Sequence, residues 1–100
     1  MYTIIRTSAA MPGKMGELVA IFKESAALGK RLSDGDGGVV ATSVGGTFGE
    51  VSLIWQVESL AAYEEAMKKF TSNAEAAALL AKAAACVVPH CTTDRIYQHL

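Results

Sequence analysis

Glu50-Val51-Ser52-Leu53-Ile54-Trp55-Gln56-Val57 is the stretch from which the rest of the chain falls into place. In an extended segment Val51, Leu53, Trp55 and Val57 share one face, and Ser52, Ile54 and Gln56 share the other. Alternation this regular belongs to a strand with one face packed harder than its opposite. Just before it, Gly46-Thr47-Phe48-Gly49 reads as a hairpin turn of about four residues. Val39 to about Gly45 is then the partner strand. Further back, Ser33-Asp34-Gly35-Asp36-Gly37-Gly38 is a break rich in turn residues.

Residues 14–32 carry a different period. Leu18, Ile21, Phe22, Ser25, Leu28, Gly29 and Leu32 recur at three- and four-residue steps, the mark of an amphipathic helix. Lys30 and Arg31 fall in its last turn, where the helix dipole favours cations. Gly29 on the buried stripe costs about 1 kcal/mol against Ala, so the spacing predicts a close approach to the sheet there. Met11-Pro12-Gly13 separates this helix from a first strand over residues 2–10, whose faces are both partly apolar.

Downstream of the central strand, Ser59 is placed to cap a helix whose stripe is Tyr63, Ala66, Met67 and Phe70. Thr71-Ser72-Asn73 interrupts it, and Ser72 with Glu75 has the spacing of a capping box. Two helical pieces are expected, about 60–70 and 73–86. Val87-Val88-Pro89 closes the second, and a last strand runs from about Asp94 to His99.

The order β-α-β-β-α-β puts a helix in each crossover. Right-handed crossovers place both on one face of a four-stranded antiparallel sheet, a ferredoxin-like α+β arrangement. The other face is left bare. Neither alternating set of the first strand (Tyr2, Ile4 and Arg6, or Thr3, Ile5 and Thr7) is charged enough to suit water. A semi-apolar bare face on a small domain predicts a homodimer in which two sheets pack together.

Composition narrows the classes. One hundred residues suit a single domain over 1–100. The apolar fraction is 51%, but seventeen of those residues are Ala, which bury little area, so burial between subunits would help. The formal net charge of -1, with Lys and Arg dispersed, leaves no footprint for nucleic acid. No run approaches the roughly 18 apolar residues of a membrane span. Met1 to Arg6 lacks the features of a signal peptide, which makes a cytoplasmic location the expectation. Cys86 and Cys91 make no disulfide framework and are expected to be free thiols.

Several residues, taken in order, resemble a known family. Ile5-Arg6-Thr7, then Pro12-Gly13-Lys14 and an amphipathic helix, are similar to the opening of NIPSNAP-like domains. Gly46, a short turn, Val51-Ser52-Leu53-Ile54-Trp55 and then Glu58-Ser59-Leu60-Ala61 resemble that family's glycine, apolar strand ending in Trp, and Ser-Leu helix start. The resemblance implies membership of the dimeric α/β-barrel superfamily, which also contains antibiotic-biosynthesis monooxygenases, haem-degrading enzymes and small isomerases. It implies a fold and a dimer, but no single activity, because one fold hosts many sites.

Five residues are candidates for a ligand site: Arg6, Trp55, Tyr63, His90 and Tyr97. Arg6 lies inside a strand, so it must be paired, with Glu58, Asp94 or Glu50, or must clamp a ligand carboxylate. Trp55 reads first as core; the alternative is an aromatic wall between sheet and helices. Tyr63, Tyr97 and His99 could add hydrogen bonds, although Tyr97 and His99 share a face with Arg95 that water could cover. His90-Cys91 could form a nucleophilic pair, but adjacent residues in extended chain point apart. Cys86, His90 and Cys91 lack a fourth zinc ligand nearby. Trp55 and His90 match two parts of a haem-degrading triad, but the first strand has no Asn to supply the third. Asp34-Gly35-Asp36-Gly37 hints at a calcium loop, but Gly45 stands where that loop needs its final Glu. Nor do these glycines make a dinucleotide fingerprint, since they follow a helix and precede a strand. No cofactor is expected. The leading expectation is binding of a small apolar or aromatic molecule, or an interaction role. The alternatives are a cofactor-independent monooxygenase or isomerase on an aromatic, polyketide-like substrate, and then a haem-linked protein.

Overall fold

A computed structural model describes residues 1–33, 37–45 and 48–100. The hairpin residues Gly46 and Thr47, and the Asp34-Gly35-Asp36 part of the calcium-like stretch, lie outside the described residues. Along the chain run β1 (Tyr2–Ala10), α1 (Met15–Leu32), β2 (Val39–Thr42), β3 (Glu50–Val57), α2 (Leu60–Thr71), α3 (Ala74–Ala84) and β4 (Val87–Gln98). The four strands form one sheet in the order β2-β3-β1-β4, with every neighbouring pair antiparallel. This is the ferredoxin-like α+β arrangement that the element order implies.

The register settles which residues face the helices. Ile4 lies opposite Trp55, Arg6 opposite Leu53 and Ser8 opposite Val51. That face meets the core of Leu18, Ile21, Phe22 and Leu28 from α1, Val51 from β3, Ala76 and Leu79 from α3, and Cys86. Ile4, Leu18 and Val51 have no exposed surface at all. The opposite face, with Thr3, Ile5, Thr7, Ile54 and Tyr97, carries no helix among the described residues. It is held by small hydroxyl contacts such as Thr7 Oγ1 with Ser52 Oγ at 2.8 Å.

Caps explain the helix boundaries. The Ser59 hydroxyl accepts a hydrogen bond from the Ala62 N–H at 3.0 Å, as its position suggested. For α3 the cap is Asn73 rather than Ser72. Asn73 Oδ1 accepts from the Glu75 and Ala76 N–H groups at 2.9 and 3.2 Å. The Ser72 hydroxyl instead donates back to the Lys68 carbonyl at 2.8 Å and finishes α2. An Asn directly before the helix reaches the first free N–H groups, and the capping-box spacing one residue earlier is coincidental.

The last strand is longer than expected. It begins at Val87 and passes through Pro89, instead of starting near Asp94. β4 lies at the edge of the sheet, where a residue without an N–H donor is tolerated. A register shift between Ser8 and Ala10 absorbs the irregularity, and His90 takes a positive φ of 64° there. The second strand is shorter than expected and stops at Thr42. Gly38, just before it, has φ 89°. A Cβ at this position would lie 2.5 Å from the Ile54 carbonyl oxygen, so the close backbone approach requires glycine.

Candidate functional site

The stripe of α2 is where the sequence placed it, yet α2 contributes no buried residue. Tyr63, Ala66, Met67 and Phe70 are only half-buried. The physical reason is a cavity of about 600 Å³ between the sheet, α1, α2 and α3, which Ala66, Met67 and Phe70 border instead of filling a core. Leu53, Trp55 and Val57 of β3, with Arg6 of β1, form its sheet side. Ile21, Phe22, Ser25, Gly29 and Leu32 of α1 form a second side, and they continue the same helical stripe that builds the core. Ala62, Ala66, Met67 and Phe70 of α2 and Leu79, Leu80 and Ala83 of α3 complete it. Leu80 is 46% exposed, so the cavity communicates with solvent.

Gly29 proves to have another role than the expected close approach. A Cβ built there meets nothing within 4 Å. The glycine borders open space, and its missing side chain is part of the cavity. Several further wall positions are small, including Ser25, Ala62, Ala66 and Ala83. Small residues at inward helical positions withhold the volume that Leu or Phe would supply, which keeps the space empty.

Of the five candidate residues, the fold brings three together. Arg6 and Trp55 border the cavity. Tyr63 stacks on Trp55, with ring centroids 6.3 Å apart and planes at 30°. Offset stacking of this kind fixes both rings. Trp55 is thus half-buried and part of a wall rather than fully packed core. His90 and Tyr97 lie elsewhere. His90 is exposed at the irregular start of β4, six residues before Ile96, which shares the Trp55 level, or roughly 20 Å along the strand. Tyr97 pairs with Thr3 on the face away from the helices.

Arg6 is the polar centre of the site. Its Nε donates to Asp94 Oδ1 at 2.7 Å and its Nη2 donates to Oδ2 at 2.8 Å, a two-pronged pair across adjacent strands. Asp94 was one of the three partners its sequence allowed. The Asp94 hydrogen bonds raise the Arg6 pKa further, against the opposing effect of burial. The same bonds hold the Asp94 carboxyl below the usual carboxylate range. The remaining polar residues at the cavity are Ser25, Ser33, Gln56 and Glu58. Ser33 is already engaged, its hydroxyl donating to the Gly29 carbonyl at 2.9 Å. Glu58 and Gln56 are exposed.

The thiols do not join this site. Cys86 is buried and donates to Glu17 Oε2 at 3.5 Å, whereas Cys91 is exposed. Burial, with help from Glu17, raises the Cys86 thiol pKa. Among the described residues, no three His, Cys, Asp or Glu side chains converge as a metal ion would require. No helix among them is long and apolar enough to cross a membrane.

Met67, Phe70 and Leu80, which would have left room for an interaction role alone had they filled this space, border it instead. Their lining role could have been suspected from the run of small residues facing them. Nothing local in the sequence marks Gly29 as a cavity wall.

No family model matches the chain, and no curated protein does. Solved structures do match in fold. An uncharacterized NIPSNAP domain protein from Burkholderia xenovorans superposes with a TM-score of 0.82 over 100% of this chain and 95% of its own, at 14% identity. A NIPSNAP family protein from Agrobacterium tumefaciens gives 0.83 over 99% of this chain and 85% of its own, at 17% identity. A provisional antibiotic biosynthesis monooxygenase from Nitrosomonas europaea gives 0.74 over 100% and 99%, at 12% identity. At such identities the likeness is one of backbone, and it agrees with the resemblance carried by the sequence motifs: the chain has the fold shared by NIPSNAP domain proteins and antibiotic-biosynthesis-monooxygenase-like proteins.

Proposed function

We propose that this protein binds a small apolar or aromatic molecule in the cavity beneath α2. The observation that carries this reading is the open, mostly apolar space of about 600 Å³, a volume typical of small-molecule sites. An open apolar chamber is costly unless something fills it, because its walls forgo contact with both protein and ligand. A ligand burying about 150 Å² of apolar surface there would gain about 4 kcal/mol from that burial. Trp55, held by its stacking on Tyr63, supplies an aromatic wall for a ring, and Arg6 supplies directional donors at the same cavity.

The test is direct. Trp55 is the sole Trp, so its fluorescence reports on the cavity. Protein purified under native conditions should release a co-purifying aromatic compound on denaturation, identified by mass spectrometry. Failure of any aromatic compound to perturb Trp55 fluorescence, with none released, would remove the reading.

A second reading is cofactor-independent oxygenation or isomerisation, favoured by the backbone likeness to the provisional monooxygenase. It ranks lower on a specific ground. Among the described residues that line the cavity there is no His or Cys, and the carboxylate Glu58 is exposed. Proton abstraction needs a positioned base near neutral pKa. The haem reading ranks lower still, since Trp55 and His90 stand far apart. Haem titration without a Soret shift would dispose of it.

The assembly we propose is a homodimer through the bare sheet face. Thr3, Ile5, Thr7, Ala9, Ala41 and Ile54 on that face are neither charged nor fully exposed, and Val39 and Tyr97 are 63% and 47% exposed. Sedimentation should give twice the monomer mass; a monomer at micromolar concentration would refute it.

A further inference from the structure

The chemistry of the preferred ligand follows from how Arg6 is occupied, and it rests on the binding reading above. An unpaired arginine beside an apolar chamber would recruit carboxylates. Arg6 is not unpaired. Two of its N–H groups, on Nε and Nη2, are committed to Asp94, directly opposite it on β4. A guanidinium has five N–H donors, so three remain for other partners. The charge, however, is already neutralised. Among the described cavity-lining residues Arg6 is the one cation, and Glu58 adds a further carboxylate. The surroundings of the chamber are therefore neutral to negative, yet still offer hydrogen-bond donors.

We propose that the Arg6–Asp94 pair makes this cavity selective for neutral aromatic ligands bearing a carbonyl or similar acceptor, and against carboxylates of the same shape. A carbonyl oxygen accepts from the free Arg6 N–H groups without adding charge. A carboxylate entering the chamber loses its hydration and meets a guanidinium whose charge Asp94 has claimed, with Glu58 opposing it. Asp94 is thus a selectivity-determining residue that acts through Arg6 without touching the ligand.

The experiment uses two probes of matched shape, acetylnaphthalene and the corresponding naphthoate, titrated calorimetrically into the whole protein. In the unaltered protein the ketone should bind at least about tenfold more tightly, a factor worth about 1.4 kcal/mol. Asp94→Asn frees the Arg6 charge while keeping the side-chain shape. It should tighten naphthoate binding about tenfold and leave the ketone within a few-fold. Asp94→Glu, which keeps the charge, should retain the ketone preference and serves if the Asn variant fails to fold. Naphthoate binding as well as the ketone in the unaltered protein, or an unchanged ratio in Asp94→Asn, overturns the proposal while leaving the binding site intact. No heat with either probe overturns the binding reading itself, and this inference with it. Weakening of both signals in Gly29→Leu, which projects a side chain into the chamber, places the binding where the inference requires it.

Discussion

Replacing Gly29 should make the protein more stable, although most substitutions in a packed domain do the opposite. Gly29 lies within α1, so Gly29→Ala removes the helical penalty of glycine, about 1 kcal/mol. A Cβ there has nothing within 4 Å, so no clash offsets that gain. Gly29→Leu adds three more carbons among Ile21, Phe22 and Leu53, apolar residues that border the same space. Burying them contributes up to about 0.8 kcal/mol each, which brings the total to about 2–3 kcal/mol. For a domain of this size each kcal/mol moves Tm by about 4–8 °C, so Ala should raise Tm by roughly 5 °C and Leu by roughly 10–20 °C. Thermal and urea unfolding followed by circular dichroism measure both. The same Leu variant should lose most of its affinity for an aromatic ligand, whereas Ala should lose little. A lowered Tm for both variants would mean that the helix packs on something solid at this point, and the cavity argument would fail. A raised Tm with undiminished ligand affinity would show that the space is empty without being used.

Other outcomes follow from single contacts. Asn73→Ala should cost about 1 kcal/mol by freeing two N–H groups at the start of α3, and Ser72→Ala should cost much less, as compared by urea midpoints. Asp94 contributes stability fully above its unfolded pKa of about 3.9, and that contribution is lost as pH falls through its depressed folded value. Acid titration of unfolding should therefore be shallower in Asp94→Asn below about pH 4. The difference should be about 1 kcal/mol or less, because the pair is 30% and 36% exposed on its two side chains. Arg6→Glu, which sets two carboxylates face to face, should lower stability by more than about 1 kcal/mol; an unaltered urea midpoint would show that the ion pair is idle. Cys91 should react quickly with a thiol reagent at pH 8 and Cys86 only on the timescale of local opening, because Cys86 is 2% exposed and its thiol pKa is raised. Equal rates would contradict the burial.

Local signals in the sequence were sufficient for the ladder of elements. The alternation in Glu50–Val57, the helical stripe from Leu18 to Leu32 and the Ser59 cap each depend on neighbours a few residues apart, so they were legible without a fold. The order of those elements then implied a sheet with helices on one side. The site was only partly legible. Arg6 and Trp55 stood out as an unusual charge and an unusual aromatic within strands, and Tyr63 lay on the α2 stripe. His90 and Tyr97 were chemically similar candidates, and sequence position did not reveal that one lies at a distant strand start and the other on the opposite face.

What the sequence determined by itself was periodicity, because side-chain direction repeats every two residues in a strand and every 3.6 in a helix whatever the surroundings. Tertiary structure alone decided three things: which carboxylate Arg6 would meet, that Pro89 would be carried in an edge strand, and that the stripes of α1 and α2 would stand apart around a cavity. Each is a relation between segments far apart in the chain. Such relations are set by register and by the volumes of small residues on facing elements, and no local pattern encodes them.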